Sequence, residues 1–178
     1  MKNTKITGLD QSLLEFQQSL DRAVQTPEVS TEAFIAMKVG ERNWLIDLAH
    51  LAETSVPPPV SRTGRAPVWV LGIGSLRGQV HTLIDMQRIL LEKPTTTPGK
   101  GWATPLHPRL NTTLALIWPQ MVGLKSRSEL QETEVMSIEP LPWAKRFWQD
   151  EQNVLWQEFD VEAFAGSAFV NLDSQVLK

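Results

Sequence analysis

The stretch Gly72-Ile-Gly-Ser-Leu-Arg-Gly78 stands between two apolar segments, Val68-Trp-Val-Leu71 and Gln79-Val-His-Thr-Leu-Ile-Asp85. Both flanking segments have the composition of strands. The glycines predict a loop that adopts positive φ angles and holds Arg77 clear of the surface. Dinucleotide binding would need a helix after the glycines, and a β pattern follows instead. The stretch therefore predicts two strands and a mainly β fold.

Residues on the N-terminal side continue the β pattern. Ala33 to Val39 and Asn43 to Leu48 are apolar runs separated by the turn residues 40–42, which predicts a hairpin. Pro57-Pro58-Pro59 follows, and its backbone cannot donate to a sheet, so 56–66 is predicted to be a loop. Further upstream, apolar residues at helical spacing predict one amphipathic helix over 11–24.

Residues on the C-terminal side show a short helical segment and a second β region. We expect a helix over 86–91, a Pro/Thr/Gly linker over 93–101, and strands over 112–118, near 134–138 and over 153–159. Asp160 is a suitable N-cap for a last helix over 160–172. The sequence thus predicts two β-rich halves that divide near 93–101 and are bracketed by helices.

The overall composition excludes several functional classes. The chain has 178 residues and a net charge of −3, and no broad basic face is available for a nucleic-acid backbone. Without cysteine there is no disulfide, thiolate metal site or cysteine nucleophile. The longest apolar stretch, 68–76, is far shorter than the about 20 residues that cross a bilayer. With no apolar segment near Met1, we expect a cytoplasmic protein without direct membrane insertion.

No catalytic or metal-binding motif is recognised. The histidines at 50, 81 and 107 lack partners at helical spacing, and Ser75 lacks the G-x-S-x-G elbow. Asp47 and Asp85 each end an apolar strand, where aspartate usually forms a turn. We therefore expect no enzyme activity, no cofactor and no metal.

Seven tryptophans are expected to serve packing, although Trp143 to Trp148 interleaves aromatic and basic residues as a nucleic-acid stacking surface would.

One pair of charged residues is of functional interest. Arg77 lies between Leu76 and Gly78, and Glu53 precedes it by 24 residues near the end of another strand. A guanidinium facing a carboxylate can fix the geometry of a loop or recognise a protein partner. An ordinary surface salt bridge, worth about 0–1 kcal/mol, is the alternative. The residues alone predict a β-rich binding module.

Several motifs resemble the CheW-like domain of bacterial chemotaxis. They are Phe34-Ile-Ala-Met-Lys-Val-Gly40, Trp44-Leu-Ile-Asp-Leu48, Leu51-Ala-Glu53, Pro67 and the stretch from Gly72 to Asp85. The resemblance covers 32–92 strongly and continues more loosely to the end. It implies two SH3-like five-stranded β subdomains in a CheW-like domain over 31–175, after an N-terminal extension over 1–30. Subdomain 1 would span 45–95, subdomain 2 would combine 31–44 with 100–159, and a C-terminal helix would span 160–172.

The same resemblance implies a function. Family members are non-enzymatic adaptors that couple a methyl-accepting chemoreceptor to a CheA-type histidine kinase, which would recruit this chain to receptor arrays. The ends of the chain look most like the PilI type, which serves type IV pili and twitching motility. The partner-binding residues implied are Glu53, Gly72, Ser75, Leu76, Arg77 and Gly78. Trp118-Pro119-Gln120 departs from the family pattern, because proline removes a strand donor. The alternative is a degenerate β-module that binds another protein or a small ligand.

Overall fold

The computed structural model describes residues 33–64, 66–93, 99–135 and 143–167. These residues belong to one compact unit, Glu32–Lys178. The strands of this part are β1 Ala33–Val39, β2 Arg42–Asp47, β3 Val70–Leu76, β4 Gln79–Asp85, β5 Trp102–Pro105, β6 Leu114–Trp118, β7 Gln120–Ser126, β8 Leu130–Thr133, β9 Ala144–Asp150 and β10 Leu155–Phe159. Its helices are α1 Met86–Leu91 and α2 Val161–Gly166, with 3₁₀ turns at Leu48–His50, Pro108–Leu110 and Arg127–Glu129.

The described strands form two sheets, which confirms the mainly β, two-sheet prediction. The large sheet has the order β7-β1-β2-β10-β9-β8 and the small sheet the order β3-β4-β6-β5. Most neighbours are antiparallel, but β10 runs parallel to β2 and β6 runs parallel to β4. Because β6 pairs with β4 and β5 pairs with β6, the chain changes sheet at Pro119 and not in the 93–101 linker. The described strands therefore divide six and four, where five and five were expected.

Residues 51–61, the closing segment, complete the small sheet. Ser55 exchanges backbone hydrogen bonds with Ala103 of β5, at 3.0 and 2.8 Å. Ser61 exchanges two more with Ile73 of β3, at 2.8 and 2.9 Å. The segment thus joins the two outer strands of the small sheet and closes it into a barrel of five chain segments. The prolines lie between these bridges, where no ladder hydrogen bond is required of them.

The main core draws residues from both sheets and both helices. Among them, the Phe159 ring makes edge contacts with Trp44 and Trp118, with centroids 5.8 and 5.7 Å apart. Leu83 and Ile117 belong to a smaller cluster inside the small barrel. A third cluster, on the other face of the large sheet, contains Phe34, Ala36, Leu45, Leu130, Trp148 and Trp156. Trp148 is fully buried there, so the 143–148 stretch contributes to packing and is not a stacking surface.

Aspartates cap the short helices; an N-cap was predicted for Asp160, whereas Asp47 and Asp85 were expected to form turns. The Asp85 carboxylate accepts the Arg88 N–H at 3.0 Å, and the Asp160 carboxylate accepts the Ala163 N–H at 2.9 Å. Asp47 accepts the Ala49 N–H at 2.8 Å in the same way. The helix expected over 160–172 ends at Gly166, since Ser167 is already extended, and residues 168–172 lie outside the described residues. The helix expected over 11–24 also lies outside them. The strand expected near 134–138 is not found at residues 134 and 135, and the rest of that range also lies outside the description.

Candidate functional site

The turn between β3 and β4 contains only Arg77 and Gly78. Their φ angles are +47° and +80°, and Leu76 pairs with Gln79 directly below them. Two positive φ angles in a two-residue loop define a type I′ turn, which matches the twist of the strands. The predicted seven-residue loop is therefore wrong, because β3 continues through Gly72 and Gly74 to Leu76. Arginine in this left-handed conformation costs about 1–2 kcal/mol, so its position in the turn is not explained by backbone preference.

Gly72 and Gly74 give the closing segment room to cross β3. A Cβ atom on Gly72 would lie 2.3 Å from the Ser61 carbonyl oxygen. A Cβ atom on Gly74 would lie 2.6 Å from Cγ of Pro58, a buried residue. Distances this short exclude any side chain at either position unless the segment moves. The glycines that resemble a nucleotide-binding motif therefore serve barrel closure.

Arg77 forms an ion pair with Glu53 through its Nε and the Glu53 carboxylate. The two side chains differ in exposure, with 83% of Arg77 and 12% of Glu53 accessible. Glu53 is held in place because Ala52 and Ser55, on either side of it, donate backbone hydrogen bonds to β5. The pair links the turn to the closing segment, and most of the guanidinium surface remains open to solvent.

The outward side of the β3–β4 hairpin next to Arg77 is largely apolar. Strand alternation places Ile73 and Ser75 on the same side as Val80, which pairs with Ser75. Ile73 is 39% exposed and Val80 61% exposed. We call Ile73, Ser75, Arg77 and Val80 the hairpin face. Sequence reasoning missed Ile73 and Val80. Alternation back from Ser75 gives Ile73, whereas Val80 follows only from its pairing with Ser75 across the two-residue turn.

The structure separates the residues that the resemblance implied into two groups. Ser75, Arg77 and Gly78 are exposed and can contact another molecule directly. Leu76 is 7% exposed and packs inside the small barrel, while Gly72 is covered by the closing segment. These two residues, with Glu53, support the turn from inside and do not form its outer surface.

Pro119 occupies the corner where the chain leaves the small sheet for the large one. β6 ends at Trp118 and β7 begins at Gln120, so no strand hydrogen bond is lost to the proline. The Trp118 indole N–H donates to the Thr104 hydroxyl at 3.1 Å and fixes the corner from inside. The departure from the family pattern is therefore accommodated by a change of sheet.

The large sheet carries a buried ion pair away from the hairpin face. Lys125 Nζ lies 2.9 Å from Asp150, and the Trp156 indole N–H donates to the same carboxylate at 2.8 Å. Burial by itself would raise the pKa of Asp150. Hydrogen bonds from Lys125, Trp156 and the Val154 backbone outweigh it and lower this pKa to about 2. The carboxylate is a structural acceptor, charged at every physiological pH.

Two further features of the described residues bear on function. They contain no group of three or more histidine, aspartate and glutamate side chains that could hold a metal ion. No helix among them is both long and apolar enough to cross a bilayer.

Comparison with known proteins assigns the class. The model of the CheW-like domain family matches residues 33–168, which include both sheets and the hairpin face. The chain therefore belongs to the CheW-like domain family, the scaffold and adaptor proteins of chemotaxis signalling.

A solved structure supports this fold. The chain is similar to the crystal structure of the scaffolding protein TtCheW from Thermoanaerobacter tengcongensis, with a TM-score of 0.60 and 11% sequence identity. The match covers 72% of this chain and 88% of that one. No curated protein matches the chain.

Proposed function

We propose that this protein is a non-enzymatic adaptor that couples a transmembrane chemoreceptor to a CheA-type histidine kinase on the cytoplasmic side of the membrane. The observation that carries the proposal is the hairpin face, in which an exposed, buttressed arginine stands beside exposed aliphatic side chains. Arginine is one of the residue types enriched at interface hot spots, and the aliphatic side chains beside it can exclude water from the contact that it makes.

The position of Arg77 favours binding over a purely structural role. Glycine or asparagine would occupy the left-handed turn position with less strain. The ion pair with Glu53 returns only about 0–1 kcal/mol, since Arg77 is 83% exposed. Retaining arginine there is therefore close to neutral or unfavourable for folding. Its planar donors, held outward by Glu53, are suited to a carboxylate or backbone carbonyl of a partner.

We further propose that the adaptor serves the PilI-type pathway that controls type IV pili and twitching motility. This proposal rests on the resemblance of the N-terminal extension and of the ending Trp156-Gln-Glu-Phe-Asp160. Deleting the gene in its own organism and scoring twitching and swimming separately tests it. Loss of swimming with normal twitching would contradict the pili assignment and leave the adaptor proposal intact.

Substitution of Arg77 tests the adaptor proposal. We expect Arg77→Ala to weaken binding to a CheA-type kinase or to a cytoplasmic receptor fragment by about 1–3 kcal/mol, a hot-spot value. Arg77→Gly should weaken binding equally while its free energy of unfolding stays the same or rises, because glycine relieves the left-handed strain. Arg77→Lys should restore little, since lysine lacks the planar fork.

Arg109→Ala is the matched control. Arg109 is an exposed arginine in the 3₁₀ turn Pro108–Leu110, and no described acidic side chain pairs with it. Calorimetry or surface plasmon resonance should show unchanged binding for this variant. If folded Arg77→Ala and Arg77→Gly bind both fragments as tightly as the native protein, the adaptor proposal fails at this site. The chain would then be a β-module with another protein or a small ligand as its partner.

A further inference from the structure

The closing segment exposes more apolar surface than closure of the small barrel requires. Its backbone makes the bridges to β5 and β3 at the two ends of residues 55–61, and between these ends only Pro58 is buried. Val56 is 71% exposed and Val60 is 38% exposed, and Pro59 is exposed as well. None of these three residues belongs to the hairpin face. Three neighbouring apolar residues in contact with solvent differ from the single ones that any protein surface carries.

Three consecutive prolines set the conformation of this part of the closing segment. The ring fixes φ at about −65° in Pro57, Pro58 and Pro59, and a residue that precedes a proline is restricted to extended backbone. The peptide bonds of the described residues are all trans. These restraints together give a polyproline II helix, which is left-handed, has about three residues per turn and makes no internal hydrogen bonds. A partner therefore meets a segment that is already ordered, so little conformational entropy is lost on binding.

The three-residue turn gives this helix one inward row and two outward rows of side chains. Pro58 belongs to the inward row, since its Cγ would lie only 2.6 Å from a Cβ atom on Gly74 of β3. Steps of three residues place Val56, Pro59 and Arg62 in one outward row, and Pro57 and Val60 in the other. We call these five outward residues the proline ridge. Four of them are exposed and Pro57 is half-buried, so both outward rows are open to contact from outside.

A single cation stands at one end of the proline ridge. Arg62 is exposed, and no described carboxylate forms an ion pair with it. Its guanidinium stays charged at every physiological pH and presents several donors to an acceptor. The other side chains of the ridge are valine and proline, which fit grooves lined by aromatic residues. Shape and charge together favour a groove with aromatic walls and an acidic side chain at one end.

We propose that the proline ridge binds a partner protein through an aromatic-lined groove that has an acidic side chain at one end. The two outward rows enter the groove, and Arg62 pairs with the acidic side chain. Pro58 stays against β3, so the small barrel remains closed while the partner is bound. A segment that served only as a stiff connector would need the inward contact of Pro58, but not the exposed valines on either side of the prolines.

NMR titration of the whole ¹⁵N-labelled chain tests the proposal. The probes are three isolated domains that recognise polyproline II segments through aromatic-lined grooves, namely an SH3, a WW and an EVH1 domain. Because proline has no amide proton, the ridge is observed through the amides of Val56, Val60, Ser61 and Arg62. We expect saturable shifts centred on these amides with at least one of the three domains. Absence of saturable shifts there with all three domains would overturn the proposal.

Substitutions on the ridge separate specific docking from general stickiness. Val56→Ser should weaken binding of the responding domain at least about tenfold without unfolding the chain, because the side chain is exposed. Val68→Ser is the matched control, since Val68 is 68% exposed but lies outside the closing segment, and it should bind normally. Arg62→Glu should also weaken binding, and the loss should shrink at high salt. Native affinity in folded Val56→Ser and Arg62→Glu, or an equal loss in Val68→Ser, refutes the assignment.

Discussion

Replacing Gly74 with alanine places a methyl group between β3 and the closing segment. The new Cβ would lie 2.6 Å from Pro58 Cγ and 3.0 Å from Leu83 Cδ1. Ordinary contact begins at 3.4 Å, so the first distance is 0.8 Å too short. Overpacking of this kind costs about 1–3 kcal/mol. Alanine also restricts the unfolded chain and returns about 0.4–1 kcal/mol. We therefore expect Gly74→Ala to lower the free energy of unfolding by about 1–2 kcal/mol.

Urea unfolding followed by tryptophan fluorescence measures this change directly. Gly64→Ala is the control, because a Cβ atom there meets nothing within 4 Å and φ is not left-handed. It should be neutral or slightly stabilising. A double-mutant cycle with Pro58→Ala gives a sharper result, since shortening Pro58 removes the closest contact. Pro58→Ala destabilises on its own, but adding Gly74→Ala to it should cost about 1 kcal/mol less than in the native background.

Two results would refute this reasoning. The first is native stability of Gly74→Ala. The second is strict additivity of the two substitutions, which would mean that the side chain of Pro58 does not press on β3. Either result would remove the physical account of why β3 carries glycine where the closing segment crosses it. The account of how Glu53 reaches Arg77 would then need revision, because the same segment carries Glu53.

Three further predictions concern the body of the protein. Lys125→Met leaves the carboxylate of Asp150 buried without its cation. The lowered pKa of Asp150 in the folded protein contributes stability above pH 3.8, and this contribution is lost as the pH falls toward 2. In the variant, acid unfolding should therefore start at a higher pH, and the free energy of unfolding at neutral pH should fall by about 1–2 kcal/mol; an unchanged acid transition would contradict this. Thr104→Val leaves the Trp118 indole N–H unpaired in the core and should cost about 1–3 kcal/mol in urea unfolding, whereas a neutral result would mean that the indole finds another acceptor. Asp160→Ala removes the N-cap of α2 and should cost about 0.5–2 kcal/mol, while Asp160→Asn, which can still cap, should cost less; equal losses would argue against capping.

The sequence predicted local structure better than it predicted pairing. The β1–β2 hairpin, α1 and the start of α2 follow from apolar runs, turn residues and the Asp160 N-cap, all of which act within a few residues. The parallel contact of β6 with β4 joins residues about thirty positions apart, and periodicity carries no information about partners. For this reason the boundary between the sheets was placed at the 93–101 linker instead of at Pro119.

The candidate site was predicted only in part, because its residues also meet through contacts that are distant in the sequence. The pairing of Glu53 with Arg77 was suggested by chemistry and by the family resemblance, and the structure brings them together. Glycine spacing alone could not distinguish a flexible loop from a strand crossed by another segment. Only the position of Pro58 and Ser61 over β3 shows that Gly72 and Gly74 are needed for close approach.

The order of the strands along the chain has a consequence for synthesis. Every segment of the small barrel lies between residues 51 and 118, so a ribosome delivers all of it as one uninterrupted piece. The large sheet instead needs β1 and β2 from the beginning of the domain and β7 to β10 from its end. The first hairpin must therefore wait, with its apolar faces uncovered, until β10 has emerged. At about 5–20 residues per second the interval is several seconds, during which chaperones and neighbouring nascent chains can reach Trp44 and Ile46.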